Sequence, residues 1–201
     1  KRVDSYLENR LSLFKNKYED IIDLSIDEEL QNFKNKASTY LIDQSNPEDF
    51  KFLRHTLLQP FDQIFKPFIK DLTFSIMINE DFNRPFTFRK LEKILCRFSS
   101  KNYTQGIMQV SSPIPLSDKE SIKLAIHRIL EDAYNCFLKE DVYLSEALLL
   151  IHIGRNYNPC DDYISAVEDI YHIVKCGQSG ELQIFINDHT LIGLDESFNL
   201  E

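Results

Sequence analysis

Apolar positions recur every three or four residues through the first part of the chain. Val3, Leu7, Leu11, Phe14, Tyr18 and Ile21 fall on one helical face at this spacing. Ser25-Ile26-Asp27-Glu28 has the form of a capping box, in which a serine oxygen accepts a backbone N–H and the glutamate reaches back to the cap. It predicts the start of a second helix carrying Leu30, Phe33, Ala37, Tyr40 and Leu41. Asn46-Pro47-Glu48 predicts a third start, with Asn as N-cap and Pro at the first helical position. Phe50, Leu53 and Leu57 lie on its apolar face, and Pro60 ends or kinks it. A short helix with Phe61, Ile64, Phe65 and Phe68 follows, distorted by Pro67.

The period then changes. Leu72, Phe74, Ile76 and Ile78 alternate with other residues, Thr73 and Ser75 among them, which predicts a half-buried strand. Asn79 to Arg84 reads as a polar loop. Thr87 is placed to cap a helix containing Leu91, Ile94, Leu95 and Phe98. Ser99 to Pro115 contains Gly106, Pro113 and Pro115 and reads as a connection, with a short strand over 107–110.

The last third returns to helical spacing. Ser117-Asp118-Lys119-Glu120 is another capping box, followed by Ile122, Ile126, Ile129, Ala133 and Phe137 on one face. Leu144 to Ile153 is apolar nearly all round and is expected to be the most buried helix. Asp161 and Asp162 open a helix with negative charge at its positive end; Ile164, Val167, Ile170 and Val174 face inward and Gly177 closes it. Residues 182–186 and 190–194 resemble two strands joined at Asn187-Asp188-His189. The pattern predicts a mainly α (α+β) fold: a single-domain helical bundle over residues 1–201 with a C-terminal β-hairpin and one or two short strands in the middle. If the chain has two lobes, their boundary falls within 99–115.

Composition adds limits. The chain has 201 residues, 43% hydrophobic and 27% charged, which suits a globular domain and excludes a disordered or fibrous one. No apolar run approaches the length of a transmembrane helix. The N-terminus has basic residues but no apolar signal region. The first residue is not Met, which reads as a trimmed start, and Leu200-Glu201 reads as a cloning remnant. Cys96, Cys136, Cys160 and Cys176 form no CxxC pair and read as reduced residues of a cytoplasmic protein with no membrane partner.

Charge changes the picture more. The net charge is -9, but it is unevenly spread: -2 over residues 1–67, +4 over 68–130 and -11 over 131–201. The basic stretch includes Arg84, Arg89, Lys90, Lys93, Arg97 and Lys101. Arg89, Lys93 and Arg97 stand four apart and form one helical row suited to an anion, or else to a solvated face. The acidic third carries Glu131, Asp132, Glu140, Asp141, Glu146, Asp161, Asp162, Glu168 and Asp169, a distribution suited to steering a basic protein partner.

Catalytic motifs are missing. There is no Gly-x-Ser-x-Gly, Walker A loop or GxGxxG, and no EF-hand pattern. Cys160, His172 and Cys176, with Cys136, match no zinc spacing, so no metal or other cofactor is expected. His152 and Arg155 lie at the end of the most apolar run and read as a hydrogen-bonded core histidine and an arginine paired with an acidic neighbour. The sequence therefore points to a non-enzymatic interaction protein that binds a basic partner through Glu131, Asp132, Glu140, Asp141, Asp161, Asp162, Glu168 and Asp169, such as a toxin-neutralising immunity-type protein. The alternative is a helical nucleic-acid- or phosphate-binding protein, or a nuclease, using Arg89, Lys93 and Arg97 or the His152/Arg155 pair.

Overall fold

The structure is a computed structural model that describes residues 2–44, 66–84, 89–91, 94–95, 103–139 and 146–176. Among these it is mostly helical, with one two-stranded antiparallel sheet. The predicted helices within 46–60 and the hairpin over 182–194 lie outside the described residues.

Helix α1 runs unbroken over Arg2–Gln44, 43 residues or about 65 Å at the usual rise. Leu7, Phe14, Tyr18, Ile22, Ile26 and Leu30 form its buried stripe. The capping box at Ser25 is therefore not a helix start. Ser25 is buried inside the helix, and its Oγ donates to the Ile21 carbonyl at 2.6 Å. A hydroxyl satisfied one turn back needs no break in the chain. Ile22 rather than Ile21 occupies the inward position.

Residues 66–83 are also helical and form α2, which corrects the strand expected at 72–78 and the loop expected at 79–84. Every residue from 71 to 80 is buried. Thr73 Oγ1 donates to the Ile69 carbonyl and Ser75 Oγ to the Asp71 carbonyl, both at 2.7 Å. The apparent period of two thus came from small hydroxyl residues that return their hydrogen bonds to their own helix, so that polar positions can lie inside. The Arg84 N–H still donates to the Glu80 carbonyl at 2.8 Å. Lys70 of α2 pairs with Glu19 and Asp23 of α1, and Phe68 meets Tyr171 edge-on.

Residues 89–91 and 94–95 are helical and carry α3. Leu91, Ile94 and Leu95, expected in a helix, are helical and 56%, 51% and 52% exposed.

A hairpin follows. Strand β1 (Tyr103–Gln105) pairs antiparallel with β2 (Val110–Ser112), with Gln105 opposite Val110. The expected strand at 107–110 is mostly the turn between them. Gly106 (φ 69°) and Gln109 (φ 50°) are left-handed there, and Ile107 and Met108 are tucked into the core.

Helix α4 (Asp118–Lys139) begins at the predicted capping box: the Ser117 N–H donates to Glu120 Oε2 at 2.7 Å, and the Glu120 N–H to Ser117 Oγ at 3.3 Å. Ile122, Ile126, Ile129 and Ala133 are buried as predicted. Helix α5 (Glu146–Tyr157) buries Leu149, Leu150, Ile153 and Gly154 but leaves Leu148 half exposed, so α2, not α5, is the helix enclosed on all sides. Helix α6 (Asp161–Cys176) turns Ile164, Val167, Ile170 and Val174 inward, as the spacing predicts. Helix α1 packs on α4 and α6, and α5 packs on α4 and α6. Buried residues from all these parts join one apolar cluster.

Candidate functional site

The C-terminal end of α2 brings a carboxyl group into the interior. Glu80 is 8% exposed, although it follows a run of core residues on an otherwise apolar helix. Its position is set by α2's own packing: Ile76 and Met77, one turn earlier, are fully buried, so the helical period carries Glu80 to the same side. Tyr163 of α6 donates its phenol to Glu80 Oε1 at 2.9 Å. The Tyr157 ring, from the end of α5, stacks on Tyr163 with centroids 6.4 Å apart and planes 11° from parallel. Tyr157 in turn donates to the Met108 carbonyl in the hairpin turn.

The hairpin is held against this point from several sides. Arg84 Nη1 donates to Thr104 Oγ1 at 2.9 Å, and the Met108 N–H donates to Ser121 Oγ of α4. Gly106 is required at its position: a Cβ there would stand 2.2 Å from Ser121 Oγ, and φ is positive. Gln109 bends its Nε2 back to the Gly106 carbonyl at 2.9 Å.

Electrostatics keep the tyrosines as neutral donors. Burial first, and the Glu80 carboxylate second, hold the phenols of Tyr157 and Tyr163 well above the usual tyrosine range. Gln109 Oε1, on a residue 7% exposed, lacks a hydrogen-bond partner among the described residues, while the Asn79 amide hydrogen-bonds Tyr163. Buried donors and acceptors are satisfied in most proteins, by protein groups or by water. The arrangement thus offers a buried carboxyl, two phenols and side-chain amides, which can hydrogen-bond a neutral polar ligand and move a proton.

The neighbouring carboxylate is differently placed. Asp81 Oδ1 lies 2.8 Å from Arg89 Nη1 of α3, and Asp81 Oδ2 lies 3.3 Å from Arg10 Nη1 of α1. Asp81 and Arg89 are both nearly buried. Arg89 is therefore committed to an internal ion pair, while Lys93 and Arg97 of the same sequence row lie outside the described residues.

The predicted acidic residues fall into separate places. Asp161, Asp162 and Asp169 are exposed and Glu168 half-buried on α6; the seven-residue spacings Asp161–Glu168 and Asp162–Asp169 place them along one outer side. None forms an ion pair among the described residues. Glu131 of α4 is exposed, with His127 Nε2 3.8 Å away. Asp132 is half-buried; burial raises its carboxyl pKa, and a hydrogen bond from Asn156 opposes that rise. Glu140 and Asp141 lie outside the described residues. His152 Nε2 meets Asn156 Nδ2 at 3.1 Å, and Arg155 is exposed. Cys136, Cys160 and Cys176 are free thiols, and no group of three or more His, Cys, Asp or Glu side chains among the described residues is gathered to hold a metal ion.

Sequence reasoning missed Glu80 because Asn79 to Arg84 looked like a polar loop. The available signal was helical spacing from Phe68 through Leu72 and Ile76 to Glu80, which makes a carboxylate the last member of an apolar row. No helix of the described residues is long and apolar enough to cross a membrane. No protein-family model, curated protein or solved structure matches the chain.

Proposed function

We propose that this protein is an acid–base enzyme in which Glu80 moves a proton, and that its substrate is a neutral, polyhydroxylated chain such as a glycan. The observation that carries this reading is a carboxyl group buried on a rigid helix end, hydrogen-bonded by Tyr163. A carboxyl in such surroundings is held away from water and is suited to general acid and base work. Asp81, the adjacent carboxylate, is neutralised by two arginines, which leaves Glu80 as the proton carrier. The side-chain amides of Asn79 and Gln109 nearby suit hydroxyl groups better than a phosphate or a carboxylate.

In glycoside cleavage, Glu80 acting as the acid gives a proton to the leaving oxygen as the C–O bond breaks. The resulting carboxylate then takes a proton from the water that adds to the sugar carbon, which restores the acid. The test is product release from a panel of soluble and particulate glycans, read by mass spectrometry. Glu80→Gln should lower the rate at least about a thousandfold while the far-ultraviolet dichroism stays unchanged. Cleavage that survives this change, or no glycan cleaved by the unaltered protein, overturns the reading.

A second reading is favoured by the carboxylates along the outer side of α6. It is a surface for a basic protein partner, on the pattern of a toxin-neutralising immunity protein in the cytoplasm, where free thiols persist. Reversing charge at Glu168 and Asp169 should then weaken capture of that partner and reduce its salt dependence. Capture indifferent to both changes and to salt refutes it. The nucleic-acid alternative loses support because Arg89 is already paired with Asp81.

A further inference from the structure

The hairpin has an inner and an outer face. Gln105 and Val110, directly opposite each other in the ladder, are buried on the inner one. Thr104 and Ser111 form the adjacent opposed pair, so their side chains share the outer face, with Cβ atoms about 5 Å apart. Ser111 is exposed and Thr104 half-buried. Two hydroxyl groups thus stand side by side at the surface.

Both hydroxyls have a hydrogen left to donate. Thr104 Oγ1 accepts from Arg84 Nη1 at 2.9 Å, which leaves its own O–H uncommitted. Ser111 Oγ makes no hydrogen bond among the described residues. Arg128 of α4 reaches the same strand, its Nη2 donating to the Ser111 carbonyl oxygen at 3.3 Å. Among the described residues Arg128 makes no other hydrogen bond and no ion pair, so most N–H donors of an exposed guanidinium stay available beside the two hydroxyls. The neighbouring carboxylates of α4 are engaged elsewhere. Asp132 takes a hydrogen bond from Asn156 of α5, and Glu131 lies 3.8 Å from His127 Nε2. Arg84 contributes the hydrogen bond that orients Thr104, while the cation of the group is Arg128.

We infer that Thr104, Ser111 and Arg128 form a binding site for a phosphate group. A tetrahedral oxyanion presents oxygens in several directions, which suits donors that arrive from two strands and a helix. A carboxylate has two oxygens in one plane, enough for the guanidinium fork but leaving the hydroxyls without a role. Charge-assisted bonds from Arg128 supply most of the affinity, and the hydroxyls select the shape. A bound phosphate also ties β2 to α4, since its donors come from both. This inference does not rest on the role proposed for Glu80, and a failure of either leaves the other standing.

The test is nuclear magnetic resonance of the full chain, titrated with inorganic phosphate at fixed ionic strength, with acetate as the control anion. The amides of Thr104 and Ser111 and the Arg128 Nε–H should shift together and saturate, with half-saturation on the order of 1 mM. Glycerol phosphate provides a second arm. Binding as tight as that of inorganic phosphate identifies a site for a phosphorylated ligand, and binding of inorganic phosphate alone identifies a site for the free ion. Arg128→Gln should weaken binding at least about tenfold and Ser111→Ala about threefold. Both positions are exposed, and unchanged amide shifts along α6 show that each variant is folded. Acetate binding as tightly as phosphate, shifts that never saturate, or binding undiminished by Arg128→Gln overturns the proposal.

Discussion

Replacing Gly106 by alanine tests the placement of the hairpin on α4, and with it the setting of the Glu80 site. Two separate costs are expected. The left-handed backbone at Gly106, with φ 69°, costs an alanine about 1–2 kcal/mol. The new Cβ would also stand 2.2 Å from Ser121 Oγ, 2.3 Å from Ser121 Cβ and 3.1 Å from the Ser117 carbonyl oxygen. Ser121 is fully buried in the first turn of α4 and cannot swing aside, so overpacking adds about 1–3 kcal/mol. A total near 3 kcal/mol corresponds to a fall in Tm of about 6–12 °C for a chain of this size. The steric part can be isolated. Ser121→Gly removes the obstructing atoms; alone it costs about 2 kcal/mol, through helix propensity and the lost Oγ hydrogen bonds to the Asp118 carbonyl and from the Met108 N–H. In urea denaturation the double variant should fall short of the sum of the singles by about 1–3 kcal/mol, since the clash disappears while the backbone cost stays. Additivity within about 0.5 kcal/mol would show that Gly106 does not lie against Ser121.

Three further outcomes follow from buried charge and buried phenols. Asp81→Asn leaves the Arg89 guanidinium nearly buried without its counter-ion and should cost about 3 kcal/mol in urea denaturation; Arg10→Gln, at the more exposed end of the same bridge, should cost under about 1 kcal/mol. Tyr18, Tyr157, Tyr163 and Tyr171 all have pKa values raised above the ordinary 10.0, mainly by burial. The folded state therefore keeps protons that the unfolded chain loses, so stability is intact below pH 10 and falls above it, by about 5 kcal/mol per pH unit for four such groups. Tyrosinate absorbance and loss of helix should then rise together, and early ionisation of these phenols in a folded chain would contradict their burial. Asp71 has its carboxyl pKa raised above 3.8, chiefly by burial, so the folded state holds its proton more tightly. Its contribution to stability is greatest at acid pH and declines as pH rises from about 3.8 through the folded value; Asp71→Asn should remove that decline, and an unchanged pH profile would rule it out.

The parts of the fold that were readable from sequence are those where local and tertiary demands agree. Ser117 and Glu120 cap α4 as their spacing requires, and α6 buries the face its period predicts. The misreadings share a cause: Ser25, Thr73 and Ser75 look like punctuation in sequence, yet each hydroxyl is satisfied by a carbonyl one turn back. The Glu80 site was lost with α2, because a carboxylate at the end of a supposed strand reads as loop. Tyr163, 83 positions away, supplies the contact that explains its burial, and no local pattern carries that information. The exposure of Leu91, Ile94 and Leu95 was equally illegible, since an apolar row has the same spacing whether it faces a core or another molecule.

The enclosure of α2 on every side has a consequence for motion. A helix whose residues from 71 to 80 are all shielded has no low-cost way to fray, so its amide protons should exchange with deuterated water only when the whole molecule opens. The carboxyl at its end is then fixed to the slowest-exchanging part of the protein. Any opening that admits a ligand to Glu80 falls to the small hairpin across from it, a three-residue strand pair whose amides should exchange orders of magnitude sooner.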